Sequence, residues 1–369
     1  MKLNFKHLYH SFLLIALMFP LTVSAGEHEA HDDHTENHKT GPIDTPELIN
    51  EYIEHHLQDS HDFVFFTDGE TGTHYGFSLP VIFIDEGLHV FMSSKFNHGE
   101  SVAESKGNFY KLHHSKIYKT DALGTILEDE HGHATNAKPI DLSITKNVVG
   151  ILLASVLMLW FFIGLAKSYK KGPVPTGMGR VLEPLVIYVR DEIAVPNIGK
   201  HKAKKFLPYL LTMFFFIWIL NLLGMTPLGF NVTGNIAITV ALTLFTFFIV
   251  QFSANFDYWK HIFWMPGVPI PMKIILAPIE VLGVFTKPFS LLIRLFANIT
   301  AGHTVMMFLI ALIILLKASF GTVFSTSMSV LLSSFIFLIE LLVAFLQAFI
   351  FTMLSSLFIG MAVQEHDHH

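Results

Sequence analysis

The sequence predicts a helical membrane protein of several crossings that carries a water-exposed α+β extension before its first span. Three observations predict this. Of 369 residues, 51% are hydrophobic and only 15% are charged, too few polar side chains to clothe a soluble globule. The charge divides sharply: residues 26–146 hold 22 Asp/Glu against 8 Lys/Arg, a net of −14, whereas residues 147–369 hold 8 against 14, a net of +6. Apolar runs of membrane-spanning length begin only in that second part. The chain has no cysteine, which excludes disulfides, thiolate metal sites and a cysteine nucleophile. No basic face interleaved with aromatics occurs, so nucleic acid is not expected as a partner.

At the N-terminus, Lys2 and Lys6 precede the apolar stretch Phe12–Val23, and Val23-Ser24-Ala25 has the small residues of a cleavage site. The stretch is shorter than the ~20 residues a span needs, so residues 1–25 are expected to be a secretory signal peptide that places residue 26 onward outside the cytoplasm. Residues 26–44 follow, with His28, His31, His34 and His38 among Glu29, Asp32, Asp33 and Glu36. Such composition predicts a solvated, disordered tract. His28 and His31 stand one residue closer than a metalloprotease pair, and no metal site is assigned. From Thr45 the texture becomes that of a folded module, residues 45–146. Thr45-Pro46 opens a helix with Leu48, Ile49, Tyr52, Ile53 and Leu57 on one face. Strand-like runs follow at Phe63–Phe66, Tyr75–Ile84 and Leu88–Met92, the last two joined by the turn Asp85-Glu86-Gly87. The folded part is expected to end near residue 125, with a looser tether to about Ser143. No catalytic constellation stands out in it.

The membrane domain occupies residues 147–369. Its first span, Asn147–Ala166, runs into a stretch from Lys167 to Lys205 with nine Lys/Arg and three acids. The positive-inside rule makes that loop cytoplasmic, in agreement with the signal peptide. Phe206–Met225 returns outward to a charge-free connection, residues 226–234, and Asn235–Ala254 comes back to a loop with Lys260 and Lys273. The last two runs are abnormally long: Phe289–Leu316 has 28 residues and Met328–Val363 has 36. These correspond to roughly 42 and 54 Å of helix at ~1.5 Å per residue, against a hydrocarbon layer of ~30 Å, so they are expected to tilt steeply or bend. Pro266–Pro271 and Pro278 predict an interfacial or broken segment ahead of them. Five crossings leave the N-terminal domain outside and the C-terminus in the cytoplasm.

Polar residues interrupt these last runs. Arg294 stays protonated in any protein environment, and placing it in a membrane helix costs from ~3 to more than 10 kcal/mol. Asn298 shares its helical face, and His303 lies on the opposite face, ~13 Å further along. Glu340 and Gln347 share a face of the last helix, ~10 Å apart. Glu340 within reach of His303 would form a coupled pair of proton acceptors, and such groups mark proton paths. The competing reading is structural: Arg294 paired with Glu340 or Glu280, and Lys287 with Glu280.

The run Ser290-Leu291-Leu292-Ile293-Arg294-Leu295-Phe296-Ala297-Asn298-Ile299-Thr300-Ala301-Gly302-His303 resembles the signature of subunit a of the rotary F-type ATP synthases. Pro278-Ile279-Glu280, Leu346-Gln347-Ala348-Phe349-Ile350-Phe351, Asn221–Pro227 and Thr233-Gly234-Asn235 add to the resemblance, which covers about residues 147–365. It implies the stator of a membrane motor, a subunit that binds no nucleotide and is not an enzyme by itself. It implies two aqueous half-channels that carry protons to and from the carboxylates of a ring of rotor c subunits, coupling proton-motive force to ATP synthesis. Arg294 would separate the half-channels and act as counter-charge to the rotor carboxylate. His303, Glu340 and Glu280 would line the proton path, and Asn298 and Gln347 would face the rotor. Peripheral-stalk b subunits, the catalytic head and the lipid bilayer complete the partners, in a bacterial inner membrane, with no cofactor. Sodium is the alternative coupling ion. Residues 1–146 and the tail Glu365–His369 match nothing in the family pattern.

Two other readings are weaker. A secondary transporter or channel, with Arg294 as an anion or substrate site, commonly shows internal repeats, and none is found. An autonomous ATPase is disfavoured because Gly172 and Gly177 have P-loop spacing but Met178-Gly179 stand where Lys and Ser/Thr are required.

Overall fold

The computed structural model describes residues 59–67, 74–99, 101–129, 134–170, 172, 174–226, 230–265 and 268–364. The expected signal peptide, the His/acid tract and the helix expected from Thr45 lie outside the described residues.

The extension is built of strands β1 (Asp62–Thr67), β2 (His74–Ser78), β3 (Pro80–Ile84), β4 (Leu88–Met92), β5 (Ala103–Ser105), β6 (Asn108–His113), β7 (Lys116–Thr120) and β8 (Ile140–Asp141), with a 3-10 helix at Ser93–Gly99. They form a β1–β2 pair and two three-stranded antiparallel sheets, ordered β4-β3-β8 and β5-β6-β7. Along β3 the side chains alternate, Val81 and Phe83 inward and Ile82 and Ile84 outward. The inward pair meets Phe96, Ala103, Tyr110 and Ile117 in one small core. The expected run Tyr75–Ile84 is divided at Leu79, whose N–H donates to the Ser93 hydroxyl (3.0 Å) instead of a ladder. Pro80 then opens β3, since proline has no N–H to give the sheet. The predicted turn is present, with Glu86 and Gly87 at φ 52° and 145°.

The segment expected as a loose tether is part of the sheet. Ile140 pairs with Ile84, Leu142 N–H donates to the Ile82 carbonyl (2.8 Å), and Ile144 N–H donates to that of Pro80 (3.1 Å). A two-residue strand is too short to show a period-two pattern, so this closure was not readable locally. The strand leads directly into the first span. Asp59 accepts from Asn147 N–H (3.1 Å) and the Thr145 hydroxyl (3.0 Å), and His61 Nε2 lies 2.9 Å from Asp141 Oδ2. Phe63 packs with its ring tilted against Phe230 of the charge-free connection, centroids 5.4 Å apart, where Phe230, Val232 and Thr233 are buried.

Inside the extension, Asp85 accepts from Tyr110 Oη (2.8 Å) and pairs with Lys119 Nζ (3.0 Å). The Lys119 and Tyr110 hydrogen bonds hold the Asp85 carboxyl below its ordinary value, while burial, helped by Asp85, pushes the Tyr110 hydroxyl up to about 12. Asp85→Ala is expected to deprive the buried Tyr110 hydroxyl of its carboxylate acceptor, at a cost of about 1–3 kcal/mol. Trypsin digestion of the extension in intact membranes should speed up accordingly. Because the folded pKa is depressed, this contact stabilises fully above the ordinary value of 3.8 and is lost as pH falls through the lowered one.

The membrane domain consists of α1 (Lys146–Tyr169), α2 (Gly179–Tyr188), a π-helical stretch (Val189–Ala194), α3 (Val195–Ile198), α4 (Lys200–Gly224), α5 (Ile236–Ser253), α6 (Phe256–Phe263), α7 (Ile270–Phe320) and α8 (Thr322–Val363). Five of these, α1, α4, α5, α7 and α8, are long and apolar enough to cross a membrane. On α1, Leu152, Val156, Leu159, Trp160 and Ile163 are exposed, the face expected to meet lipid. α4 is the central helix: Leu210, Met213, Phe214, Ile217 and Leu220 are all buried.

Two features of the long helices differ from expectation. α7 is not broken at Pro278 or Pro288 but runs through both for 51 residues. Proline removes one helical hydrogen bond and bends the helix, and in a membrane neighbouring helices re-satisfy the freed groups. The short element ahead of it is α6, with Phe256, Trp259 and Phe263 exposed and Asp257, Lys260 and His261 beside them. Secondly, α7 reverses into α8 at one residue, Gly321, whose φ 80°, ψ 163° is open almost exclusively to glycine. At the far end of α8, a Cβ on Gly360 would fall on the Asn197 carbonyl. Gly360→Ala is therefore expected to pry α8 from α3 and destabilise the domain by about 1–3 kcal/mol. The readout is thermal unfolding of the detergent-purified complex, and an unchanged Tm would rule the close approach out.

Candidate functional site

The antiparallel pair α7–α8 sets the level of every candidate residue. Three contacts fix its register. Ser329 Oγ donates to the Leu309 carbonyl, the Glu340 carboxylate lies over Gly302 where a Cβ would overlap it, and Lys287 Nζ stands 5.7 Å from the Phe358 ring. Equal rise along both helices then places Gln347, seven residues past Glu340, level with Leu295 and so with Arg294. Glu340 itself is level with Gly302 and His303. The His303 side chain lies outside the described residues.

Arg294 is half-buried and forms no ion pair with Glu280, Glu340 or any other described residue. The pairing of Lys287 with Glu280 is likewise not formed. These pairings are not formed in the structure: Glu280, Lys287 and Arg294 recur every seven residues, about 10 Å apart along α7, and Glu340 lies over Gly302, eight residues or about 12 Å along the axis from Arg294. Asn298 is exposed, one turn beyond Arg294. Gln347 departs from the expectation of an open face. Only 5% of it is exposed, because it sits on the side of α8 that carries Ala348, Phe351 and Ser355 into the core with α4.

Two clefts meet α7 on either side of Arg294. One is lined by Asn221, Met225, Asn298, Ile299, Glu340, Val343 and Ala344. It lies toward the end of α4 that bears the extension. The other is lined by Thr246, Gln251, Tyr258, Lys287, Phe358 and Met361 among others, toward the end that bears α6. Lys287 precedes Arg294 by seven residues and Asn298 follows it by four, or about 10 and 6 Å along the axis. Both clefts carry unfilled polar capacity or open polar side chains. Gln251 Oε1 is buried without a hydrogen-bond partner, a place where water is expected.

Asn221 was not singled out as a site residue on chemical grounds, although it interrupts an apolar run. It is 2% exposed, accepts from the Thr233 hydroxyl (3.0 Å) and donates to the Ala344 carbonyl (3.4 Å). It thus ties α4 to α8 at the wall of the first cleft. Tyr258 and Gln251 of the second cleft were also missed, since each is unremarkable alone. Glu280 is half-buried on α7, close enough for its charge to act on Tyr258, whose hydroxyl burial chiefly raises in pKa. Among the described residues no group of three or more His, Asp or Glu is placed to hold a metal.

Comparison with known proteins bears on this arrangement. Residues 148–360 match the family described as ATP synthase A chain, and residues 52–142 match a domain of unknown function, DUF8433. The chain is 47% identical over 275 residues to ATP synthase subunit a 2 of Chlorobaculum tepidum, covering 72% of this chain and 76% of that one. It is 38% identical over 310 residues to ATP synthase subunit a of Chloroherpeton thalassium, covering 79% and 89%. To ATP synthase subunit a of Myxococcus xanthus it is 47% identical over 236 residues, covering 62% and 76%. With its five apolar helices inside a match that takes in more than half of its length, the chain belongs to the ATP synthase A chain family.

Proposed function

We propose that this chain is the stator subunit of an ATP synthase membrane motor and that it moves protons through two half-channels separated by Arg294. The observation that carries the reading is the pair of small clefts that line α7 on the two sides of Arg294, one beside Asn298 and Glu340 and the other beside Lys287 and Tyr258. Protons enter one cleft past Glu340 and Asn298 and leave by the other past Lys287, Tyr258 and Glu280, or the reverse. Arg294, with no ion-pair partner among the described residues, presents its charge to a carboxylate of the passing rotor c subunit. The fixed cation favours the ionised carboxylate and drives its proton off. It also repels a proton that would hop directly between clefts, so transport must turn the ring. Gln347 lies buried level with Arg294. Nucleotide chemistry belongs to the catalytic head, reached through peripheral-stalk b subunits.

The reading places the domain of residues 147–369 in a bacterial inner membrane with its C-terminus cytoplasmic. The module of residues 45–146 stands on the periplasmic side behind a cleaved signal peptide, residues 1–25, and a solvated tract, residues 26–44. The joint at Asp59 and Asn147 puts the extension at the same end as the Glu340 cleft, which supports that cleft as the periplasmic one. The test is complementation. Membrane vesicles from a strain deleted for this chain should lose ATP synthesis driven by an imposed pH gradient and recover it when the chain is restored. Undiminished synthesis without the chain would return Arg294 to the role of a substrate site in a transporter.

A further inference from the structure

The extension is joined to the membrane domain by more than its chain connection. Phe63 and Leu79 are each 3% exposed. They belong not to the extension's own core around Phe83 and Tyr110 but to the core of the helical bundle, with Ala154, Phe230 and Val232. The Phe63 ring, itself stacked on Phe77 of β2 at 4.9 Å, packs on Phe230. A Cβ on Gly150 of α1 would come within 2.8 Å of both Phe230 and Val232, so the connection is pressed onto the first span as well. Lys146 N–H donates to the Ser60 carbonyl (2.9 Å), beside the Asp59 contacts, and fixes the base of the extension to the start of α1.

The connection held in this way supports the wall of the Glu340 cleft. Thr233, three residues past Phe230, is 2% exposed and donates its hydroxyl to Asn221 Oδ1 (3.0 Å). The Asn221 amide nitrogen donates in turn to the Ala344 carbonyl (3.4 Å). With both ends of its amide engaged, Asn221 is kept in one orientation, and Asn221 and Ala344 line the cleft together with Glu340 and Asn298. We propose that the extension is a clamp on this wall. Through Phe63 and Phe230 it fixes residues 230–234, and through Thr233 it sets Asn221 and hence the access of water to Glu340. The clamp rests on the reading of this cleft as the outer half-channel. It gives a task to a domain whose matched family has no known function, and it makes Phe63 a positioning residue for a site that lies in the other matched region, residues 148–360. Coupling through such a series of contacts shows as non-additivity between its members.

The chain has no cysteine, so Val343→Cys puts its single thiol on the cleft wall. Labelling of that thiol by a water-soluble maleimide, in membranes holding the whole complex, reads aqueous access to the cleft and needs no proton transport. Phe63→Ala is expected to raise the labelling rate about ten-fold, the weight of one buried hydrogen bond. Thr233→Val, which removes only the hydroxyl, should raise it equally. The two together should raise it no further than either alone, because both release Asn221. Phe63→Leu keeps an apolar side chain against Phe230 and should stay within about two-fold of the unaltered rate. If Phe63→Ala does not assemble, Phe63→Val carries the same comparison at a smaller step, about three-fold. An unchanged rate in the Phe63 variants would overturn the clamp. So would a rise of about a hundred-fold in the double variant, the product of two independent sites. Either result leaves the motor reading standing, since that reading fails on ATP synthesis by the Arg294→Ala complex and not on thiol access.

Discussion

Arg294→Ala is expected to abolish ATP synthesis driven by an imposed pH gradient, by about a hundred-fold or more, while the complex still assembles. Assembly should survive because the guanidinium has no ion-pair partner among the described residues, so its removal strands no buried carboxylate within the chain. Function should not survive because the charge is held in an apolar helix at a cost of ~3 kcal/mol or more and, on the proposed reading, serves a carboxylate of the rotor. A unit charge about 4 Å from a carboxylate is worth about 4 kcal/mol at an effective dielectric of 20, or about three pKa units. Without it the rotor carboxylate keeps its proton at the level of Arg294, and nothing compels release into the exit cleft. The barrier to direct hopping goes too, so vesicles should become leaky to protons. Arg294→Lys is expected to rescue poorly, since an ammonium lacks the planar fork and is more strongly hydrated. Normal synthesis in an assembled Arg294→Ala complex would sink the motor reading of this residue.

The second large effect concerns Glu340 and His303. The Glu340 carboxylate lies over the backbone of Gly302, one residue from His303 and on the wall of the cleft that also holds Asn298. Losing both titratable groups should cut proton-driven synthesis by about a hundred-fold, the lower end of what positioned acid–base groups contribute. Exchanging them, His303→Glu with Glu340→His, should retain about ten-fold more activity than their joint removal, because a pair that shares its titration needs both groups more than it needs their order. Gly302→Ala tests the geometry without deleting either group. Its methyl would occupy the place of the carboxylate, and synthesis should fall toward that of Glu340→Gln. Exchange no better than joint removal would show that the two act separately. An active Gly302→Ala variant would move Glu340 away from this site.

Much of this protein is written along the chain. Hydropathy and charge are local quantities, so the five spans, their order and the asymmetry of the connecting loops follow from residue runs read one after another. The isolated ionisable groups were equally legible, because an arginine or glutamate inside twenty apolar residues stands out whatever surrounds it. Periodicity carried the β3–β4 hairpin and its turn. The same rules failed where an element was short or its partner distant. β8 has two residues, and its pairing with β3 depends on a strand more than fifty positions away. Proline was read as a break in α7, whereas the neighbouring helices hold the bent helix together.

The functional arrangement divides in the same way. That Arg294, Asn298, His303, Glu340 and Gln347 interrupt the last two apolar runs can be read from composition and spacing alone. Which of them meet is set by how α8 slides along α7 after the turn at Gly321, and packing fixes that slide. The Gly302–Glu340 approach brings Glu340 level with His303. The burial of Ala348 and Phe351 against α4 turns Gln347 inward, away from the face that Asn298 keeps open. Asn221, Gln251 and Tyr258 gain meaning only as walls of clefts, the first formed by α4, α7 and α8 and the second by α5, α6, α7 and α8. Single-residue polarity and helix-forming tendency are properties of a one-dimensional string. Register, burial and the space between helices arise from contacts between residues far apart in it, and no local pattern encodes them.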